Sequence, residues 1–319
     1  MVRVFSVFWR RRYRWYTHLM ETPTNIPDYP AARPLALTDK PLLDAVFALL
    51  QPRVSELTFA NLYLFRAPHA YRLTMVGDAV VVIGQGYDGA PYFLPPLTGT
   101  VSVATQTLLD DGMTLYGADG EFVERHLAGG GYQVTEDRDS FDYLHRRQEL
   151  AELPGNRFHK KRNRISYFAV RHPYTVELYR EGFREDCLNL LQEWHRVRTE
   201  MGSSSVDPET AAAEEALALA GGLGLEGVVV LVEGRVAAFA LGERLNRQTA
   251  VCHFEKADPF MEGAAQLVDR EFNRLLFTDC TWTNREQDLG VPGLRDAKLS
   301  YHPAELVRKF RVRRLPLQA

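Results

Sequence analysis

One segment near the C-terminus carries most kinds of side chain that act as acids, bases or anion ligands. It spans residues 284–301 and interleaves acids, amides, arginines, a lysine, a serine and a tyrosine with few large apolar residues. Such a composition is poor material for a core, and Gly290 and Gly293 permit sharp turns among the charges. The segment is therefore a candidate site. The alternative is a surface loop whose charges are only solvated.

These side chains suit the transfer of an acyl group to an amine. That reaction needs a base for the attacking nitrogen and an acid for the leaving group, and a partly desolvated carboxylate can be the base. The expected catalytic residues are Glu255, Glu286, Asp288, Lys298 and Tyr301. Cations and amides would neutralise or orient a phosphate or carboxylate of the substrate. The expected substrate-binding residues are Lys256, Asn284, Arg285, Arg295, Arg162 and Asn163.

The elements on both sides of the segment place it at the end of a strand. Residues 278–283 are rich in Thr, Cys and Trp and predict a strand, so the polar segment begins as a loop where sites commonly collect. An alternating pattern predicts a last strand over 307–315. Upstream, strands are predicted over 227–232, 235–241 and 249–254. His253 and Glu255 face one side of the third strand and Lys256 faces the other.

A predicted helix over 264–276 begins with small residues that could let a phosphate approach the backbone. Free N–H groups at a helix start hold phosphates, so the expected cofactor-binding residues are Gly263, Ala264 and Ala265. The basic or glutamine residue usual in an N-acetyltransferase loop is absent here, and Glu262 would repel a diphosphate. Either coenzyme A binds differently or the donor is not coenzyme A, and a plain helix start is the alternative.

A second basic feature lies at 156–168, where an amphipathic pattern predicts a helix. Its exposed side is crowded with Arg157, Lys160, Lys161, Arg162 and Arg164. This face is either solvated or a wall that binds the phosphates of a large donor such as transfer RNA.

The order of predicted elements occurs twice, although no repeat is visible at the level of residues. In the first half a helix near 40–50 precedes short strands at 71–75, 79–83, 92–94 and 113–116. We therefore expect two similar α+β units, an N-terminal domain over 34–150 and a C-terminal domain over 151–319 that carries the site. Residues 1–33 form a basic arm and leader, with Met20 as an alternative start.

Composition predicts a globular protein of the cytoplasm. The 319 residues are 45% hydrophobic and 25% charged, and no apolar run approaches the ~20 residues that cross a bilayer. The three cysteines lack a C-x-x-C pair, which favours free thiols in a reducing compartment. The histidines show no ligand spacing, so no metal is expected.

Several motifs resemble an uncharacterised bacterial family that is grouped with the C-terminal domain of phosphatidylglycerol lysyltransferases. The resemblance extends from about Pro34 to Arg313, and its last motif is the most specific. The motifs are 55–62 (SELTFANL), 161–163 (KRN), 255–257 (EKA), 284–290 (NREQDLG), 293–295 (GLR) and 297–303 (AKLSYHP). The lysyltransferase domain similarly ends with a lysine before a short aromatic and proline segment, which Lys298, Tyr301 and Pro303 match.

The resemblance implies two tandem domains of the GNAT-type N-acetyltransferase fold, each a mixed, mostly antiparallel sheet flanked by helices. Fem peptidoglycan peptidyltransferases share this architecture and use aminoacyl transfer RNA as donor. The resulting hypothesis is an acyl or aminoacyl transferase with no permanently bound cofactor. Acyl-coenzyme A or aminoacyl-tRNA would be the donor, and a small-molecule or peptide amine or hydroxyl the acceptor. The alternative is a non-catalytic module that binds a small anionic ligand, a peptide or tRNA, and peripheral membrane contact stays open.

Overall fold

The computed structural model describes residues 25–128, 130–200 and 208–315, except for the side chains of 198–200. The predicted basic arm, and the leader before residue 25, lie outside the described residues. Within the described part, fourteen strands form two seven-stranded sheets, and helices pack on both.

The first sheet has the strand order β1-β2-β3-β4-β5-β14-β6. Strands β4 and β5 pair in parallel, and the other neighbours pair antiparallel. The strands are β1 (Arg33–Pro34), β2 (Arg72–Val76), β3 (Ala79–Gln85), β4 (Pro91–Phe93), β5 (Thr114–Asp119), β6 (Tyr132–Glu136) and β14 (Lys309–Arg314).

The second sheet has the order β13-β7-β12-β11-β10-β9-β8. It too contains one parallel pair, β11 with β12, among antiparallel neighbours. The two sheets are thus similarly built, mixed and mostly antiparallel, which confirms the predicted fold class. The strands are β7 (Asp142–Arg146), β8 (Tyr174–Leu178), β9 (Glu226–Val232), β10 (Arg235–Asn246), β11 (Thr249–Ala257), β12 (Trp282–Asn284) and β13 (Glu305–Val307).

Helices connect the strands and bury apolar faces against the sheets. In the last long helix, Leu267, Val268 and Phe272 are spaced at helical intervals and are buried. The described helices are α1 (Lys40–Leu50), α2 (Phe59–Leu64), α3 (Val101–Asp110), α4 (Gly120–His126), α5 (Arg147–Glu152), α6 (His159–Arg171), α7 (Arg184–Glu200), α8 (Pro208–Leu223), α9 (Ala264–Leu275) and α10 (Pro292–Leu299).

The structure differs from the sequence predictions around the polar segment. The strand predicted at 278–283 is limited to β12, because residues 277–280 form a turn in which the N–H of Cys280 donates to the carbonyl of Phe277 (2.8 Å). The expected loop contains α10, which has Pro292 in its first turn, a favourable position for proline.

The predicted last strand over 307–315 is two strands in different sheets. Strand β13 pairs with β7 in the second sheet, whereas β14 lies between β5 and β6 in the first. Alternation of apolar and polar residues does not reveal which sheet a strand joins. Because β7 lies in the second sheet and β14 in the first, the sheets do not follow chain order, and the division of the chain near residue 150 stays a prediction.

A buried ionic cluster joins the two sheets where the chain crosses between them. Nζ of Lys309 on β14 donates to both oxygens of Glu56 (2.7 and 2.6 Å) and to Oδ1 of Asp142 on β7 (2.7 Å). Lys309 and Asp142 have no exposed side-chain surface. The backbone N–H and the hydroxyl of Ser55 and the amide of Asn284 complete the hydrogen bonds to Asp142. The carboxylate of Asp142 is thus stabilised by hydrogen bonds from protein groups rather than from water.

Replacing Lys309 with methionine should lower the free energy of unfolding by roughly 3–5 kcal/mol, because the change leaves Glu56 and Asp142 buried without their cation. Urea denaturation measures this loss. Arg313→Met on the same strand is the matched control, since Arg313 is exposed and its replacement should cost about 0.5 kcal/mol or less. Equal losses in the two variants would contradict a central role for the cluster.

Candidate active site

A cavity of about 730 Å³ lies between the two halves of the chain and takes its walls from both. One wall comes from the first half and is rich in aromatic rings. The other comes from β11, the start of α9 and the polar segment. Among the predicted site residues, the structure brings Glu255, Glu286, Lys298, Tyr301, Arg285 and Ala265 to this cavity.

Four glutamates line the cavity, and each forms an ion pair with a different cation. They come from the loop before α2, from the first turn of α8, from β11 and from the loop after β12. The ion pairs fix the glutamates in place and satisfy part of their hydrogen-bonding capacity. The pairs are Glu56 with Lys309 (2.6 Å), Glu209 with Lys256 (2.7 Å), Glu255 with Arg285 (2.8 Å) and Glu286 with His253 (2.8 Å).

His253 is a buried cation between two glutamates. Its Nδ1 lies 2.8 Å from Glu286 and its Nε2 lies 3.0 Å from Glu243, so both ring nitrogens can donate when the ring is protonated. Burial by itself would lower the pKa of His253, but the negative charges and hydrogen bonds of Glu286 and Glu243 outweigh it and raise the pKa to about 10. At neutral pH the ring therefore orients Glu286 and is not a base.

Glu286 is held in an unusual backbone conformation. Its φ of 55° lies in the left-handed region, which costs a non-glycine residue about 1 kcal/mol or more. The N–H of Glu286 donates to Oδ1 of Asn284 (2.7 Å), and Nδ2 of Asn61 donates to Oε1 of Glu286 (3.0 Å). Strain of this kind, held by surrounding contacts, is common where a side chain must point at a ligand.

Arg285 is the centre of a second buried cluster. It pairs with Glu255, its Nε lies 3.5 Å from Asp269, and its guanidinium lies 4.5 Å from the ring of Tyr301. Burial raises the pKa of Asp269, while the charge of Arg285 opposes that rise. Burial and the nearby negative charge of Asp269 raise the pKa of Tyr301 well above its usual value. Tyr301 is therefore a protonated wall of the cavity at neutral pH.

Two lysines of the cavity have lowered pKa values. Nζ of Lys298 donates to the carbonyls of Arg285 (2.6 Å) and Gln287, and burial lowers its pKa to about 8 despite the charge of Glu286. Nζ of Lys161 donates to Ser300 (2.6 Å) and lies 3.8 Å from the ring of Tyr301. Burial and the charge of Arg285 lower its pKa to about 8. Both amines can exchange protons near neutral pH.

Asp288 and Arg295, predicted as catalytic and substrate-binding, lie outside the cavity lining and pair with each other. The carboxylate of Asp288 is fully enclosed and accepts from Arg138, Arg295, the hydroxyl of Tyr143 and the N–H of Gly290. These bonds outweigh burial and hold its pKa well below its usual range. In the structure the pair anchors the loop that carries Glu286.

Asn284 and Lys256, both predicted to bind substrate, have protein partners instead. Asn284 is buried between Asp142 and the backbone of Glu286. Lys256 lies on the face of β11 opposite to Glu255, as the alternation along the strand predicted, and it is not part of the cavity lining. Its Nζ lies over the ring of Trp194 at 3.8 Å and pairs with Glu209. Both residues position other groups.

The remaining predictions concern α6 and the start of α9. Arg162 donates to the carbonyls of Leu153 and Gly155, and Asn163 contacts His159 on the exposed side of α6, so neither lines the cavity. At Gly263 an added Cβ would lie 2.2 Å from the carbonyl oxygen of Arg164. The space on the Cβ side of Gly263 is therefore occupied by α6. Ala264 is buried in the core, and Ala265 lines the cavity.

The sequence predictions missed several residues of the site. Asn61 and Glu56 lie in the 55–62 motif. Polar residues at the start of an otherwise apolar helix were the feature of the sequence that could have indicated them. Lys161 belongs to the basic helix but was not distinguished from its neighbours. No local signal pointed to the other residues of the first-half wall, which are Phe65, His69, Tyr71, Tyr87 and Tyr116.

Two mixed sheets with one parallel pair each, flanked by helices, define two tandem GNAT-like domains of the acyltransferase class. The sequence profile of the family "Phosphatidylglycerol lysyltransferase, C-terminal" matches residues 47–313. The chain belongs to this family, which supports an acyl- or aminoacyl-transferase activity.

Solved structures agree with this assignment. A conserved protein of unknown function from Bacteroides thetaiotaomicron is 28% identical, with a TM-score of 0.81 over 88% of this chain and 98% of that chain. The structure of L-PGS from Bacillus licheniformis has a TM-score of 0.62 at 13% identity, and the match covers 91% of this chain and 96% of that chain. The crystal structure of FemX has a TM-score of 0.56 at 10% identity, and the match covers 88% of this chain and 96% of that chain. The last two similarities concern the fold alone.

No group of three or more His, Cys, Asp or Glu side chains in the described ranges is arranged to hold a metal ion. Within the same ranges, no helix has the length and apolar character that crossing a membrane requires.

The raised pKa of His253 predicts a pH-dependent contribution to stability. The folded-state pKa of about 10 exceeds the unfolded value of about 6.5, so the contribution is complete below pH 6.5 and is lost as pH rises towards 10. Its full size is on the order of 5 kcal/mol. The difference in unfolding free energy between the unmodified protein and His253→Gln should shrink over this range in guanidinium denaturation. The exposed change His159→Gln is the control, and a constant difference for His253→Gln would contradict a buried imidazolium.

Proposed function

We propose that the chain is an aminoacyl transferase, which moves an aminoacyl group from the ester of a charged tRNA to an amine or hydroxyl acceptor. The observation that carries the proposal is the set of four glutamates, each fixed by a cation, around one cavity of about 730 Å³, which has room for an aminoacyl group and part of its carrier. An aminoacyl ester differs from a simple acyl thioester in its ammonium group, and carboxylates are the usual partners of an ammonium.

The start of α9 supports an ester donor over coenzyme A. The carbonyl of Arg164 fills the space on the Cβ side of Gly263, which restricts the approach of a diphosphate to the backbone there. The guanidinium of Arg164 lies 3.9 Å from Glu262 on the same turn, so this cation already has a carboxylate partner in place of a phosphate. Membership of the lysyltransferase family favours the same donor.

In the proposed reaction the nucleophile of the acceptor attacks the ester carbonyl carbon. A new C–N or C–O bond forms, and the bond from the carbonyl carbon to the ribose oxygen breaks. Glu286 takes the proton of the acceptor, and the ammonium of Lys298 gives a proton to the leaving ribose oxygen. After transfer, a proton must pass from the carboxyl of Glu286 to the amine of Lys298, directly or through solvent, to restore both groups. Glu255 holds the ammonium of the aminoacyl group.

Glu286→Gln should reduce the transfer rate at least about 100-fold, because the amide cannot accept the proton. Folding should change little, since the side-chain oxygen of glutamine still accepts from Asn61 and from His253. The assay measures transfer of a labelled amino acid from aminoacyl-tRNA to an added amine or hydroxyl acceptor. Circular dichroism checks the fold of the variant.

Glu262→Gln is the matched control for this change. Glu262 is exposed on the turn before α9 and lies outside the cavity lining, so its replacement should leave transfer within about twofold. Binding of aminoacyl-tRNA without transfer to any acceptor would favour the non-catalytic module over the transferase.

The lowered pKa of Lys298 predicts the high-pH side of the activity profile. If its ammonium donates the proton, the rate should fall as pH rises through about 8, after correction for spontaneous ester hydrolysis. Lys298→Arg keeps the charge at every pH but cannot release the proton, so the variant should be slow and should lose this fall in rate. Lys161→Arg is the comparison, because Lys161 has a similar pKa without the proposed role. If the rate of Lys298→Arg still falls as pH rises through about 8, the fall comes from the titration of another group.

A further inference from the structure

The wall contributed by the first half carries aromatic rings that the proposed transfer step does not use. Phe65, His69, Tyr71, Tyr87 and Tyr116 all line the cavity opposite the glutamate-bearing loop. They lie in the half of the chain in which the sequence predicted no site. A role in binding, rather than in chemistry, is the natural use of such rings.

Three of these rings form a row. His69 and Tyr71 are stacked, with centroids 5.2 Å apart and planes 27° apart, and Tyr87 lies against His69 at 5.2 Å and 51°. Tyr71 is 4% exposed, whereas Tyr87 is 74% exposed. The row therefore runs from the buried interior to the solvent, with Tyr87 at its outer end.

Tyr87 is carried by a hydrogen-bonded turn between β3 and β4. The N–H of Gly86 donates to the carbonyl of Ala90 (2.9 Å), and the N–H of Gly89 donates to the carbonyl of Gly86 (2.8 Å). Oδ1 of Asp88 accepts from the N–H of Ala90 (3.0 Å). These bonds fix the backbone on both sides of an exposed aromatic ring, an arrangement that stacking on a ligand would explain and core packing would not.

The row is also uncharged, in contrast to the four glutamates of the cavity. Burial lowers the pKa of His69, which keeps its ring neutral at physiological pH. The aromatic residue of the opposite wall, Tyr301, already has Lys161 and Arg285 near its ring, at 3.8 and 4.5 Å. A flat, neutral ligand group therefore finds its best surface on Tyr87, the exposed end of the row.

We propose that Tyr87, supported from behind by His69, forms a stacking platform for the terminal nucleobase of the donor RNA, an inference that rests on the proposed function. An aminoacyl ester is attached to the ribose of the last nucleotide, so the base of that nucleotide must lie within one nucleotide of the reacting carbonyl. With the ester among the glutamates, the base lies in the same cavity and reaches the opposite wall. Stacking of one base on an aromatic ring changes affinity by about tenfold or more.

The test compares two short acceptor-stem RNA hairpins, one ending in an intact adenosine and one in an abasic nucleotide. Fluorescence anisotropy measures their binding to the full chain. The unmodified protein should bind the intact RNA at least about tenfold more tightly. Tyr87→Leu should bring this ratio close to one, and Tyr87→Trp should retain it, because tryptophan also stacks.

Tyr167→Leu is the matched control. Tyr167 is an exposed tyrosine on α6 outside the cavity lining, with Arg171 over its ring at 3.3 Å, so its loss should leave the ratio unchanged. A ratio near one in the unmodified protein would overturn the platform, and so would an unchanged ratio in Tyr87→Leu.

A transfer assay separates this inference from the proposed function. With active protein, Tyr87→Leu should raise the KM for aminoacyl-tRNA about tenfold and leave kcat within about threefold, since the ring is remote from the proton transfers. A rise in the KM for the acceptor alone would overturn the platform while the transferase stands. Absence of transfer by the unmodified protein, with the base-dependent binding ratio intact, would refute the proposed function and support the platform.

Discussion

A lysine without access to solvent ties the two sheets together, and the geometry of the cavity depends on it. Lys309 on β14 of the first sheet holds Asp142 on β7 of the second, and it also holds Glu56, whose side chain reaches the cavity. Asp142 in turn accepts from Asn284, and Asn284 accepts from the N–H of Glu286. The position of the proposed base is thus connected by three steps of hydrogen bonding to Lys309, the cation that joins the two sheets.

Buried ion pairs of this kind are poor sources of stability, because the desolvation of both ions consumes most of their attraction. Their repeated use around the cavity is better explained by placement. His253, Lys256, Arg285 and Lys309 each hold a different one of the four glutamates that line the cavity, and three of these cations have 3% or less of their side chain exposed. The result is a set of carboxylates that are ordered before a substrate arrives, which reduces the reorganisation that binding and transfer would otherwise require.

Most of the architecture could be predicted from local patterns, and much of the site could not. Hydrophobic periodicity located α9 and the strands β9, β10 and β11 to within a few residues, and a strand followed by polar residues indicated the loop of Glu286. The same reasoning counted Asp288 and Arg295 as site residues because they lie in that loop. The direction of the backbone decides whether a charged side chain faces the cavity or another ion. The left-handed φ of Glu286 reverses that direction within a few residues.

The sequence by itself determined the fold class, because alternation of period 2 and period 3.6 is a local property that survives in any environment. It also determined that acids and bases would be concentrated near the C-terminus. Only the tertiary structure decided that β14 crosses back into the first sheet and that aromatic rings of the first half face the glutamates. It decided too that the pKa of His253 rises to about 10 while that of Lys298 falls to about 8. These outcomes depend on burial and on charges from residues far apart in the chain, which no local pattern encodes.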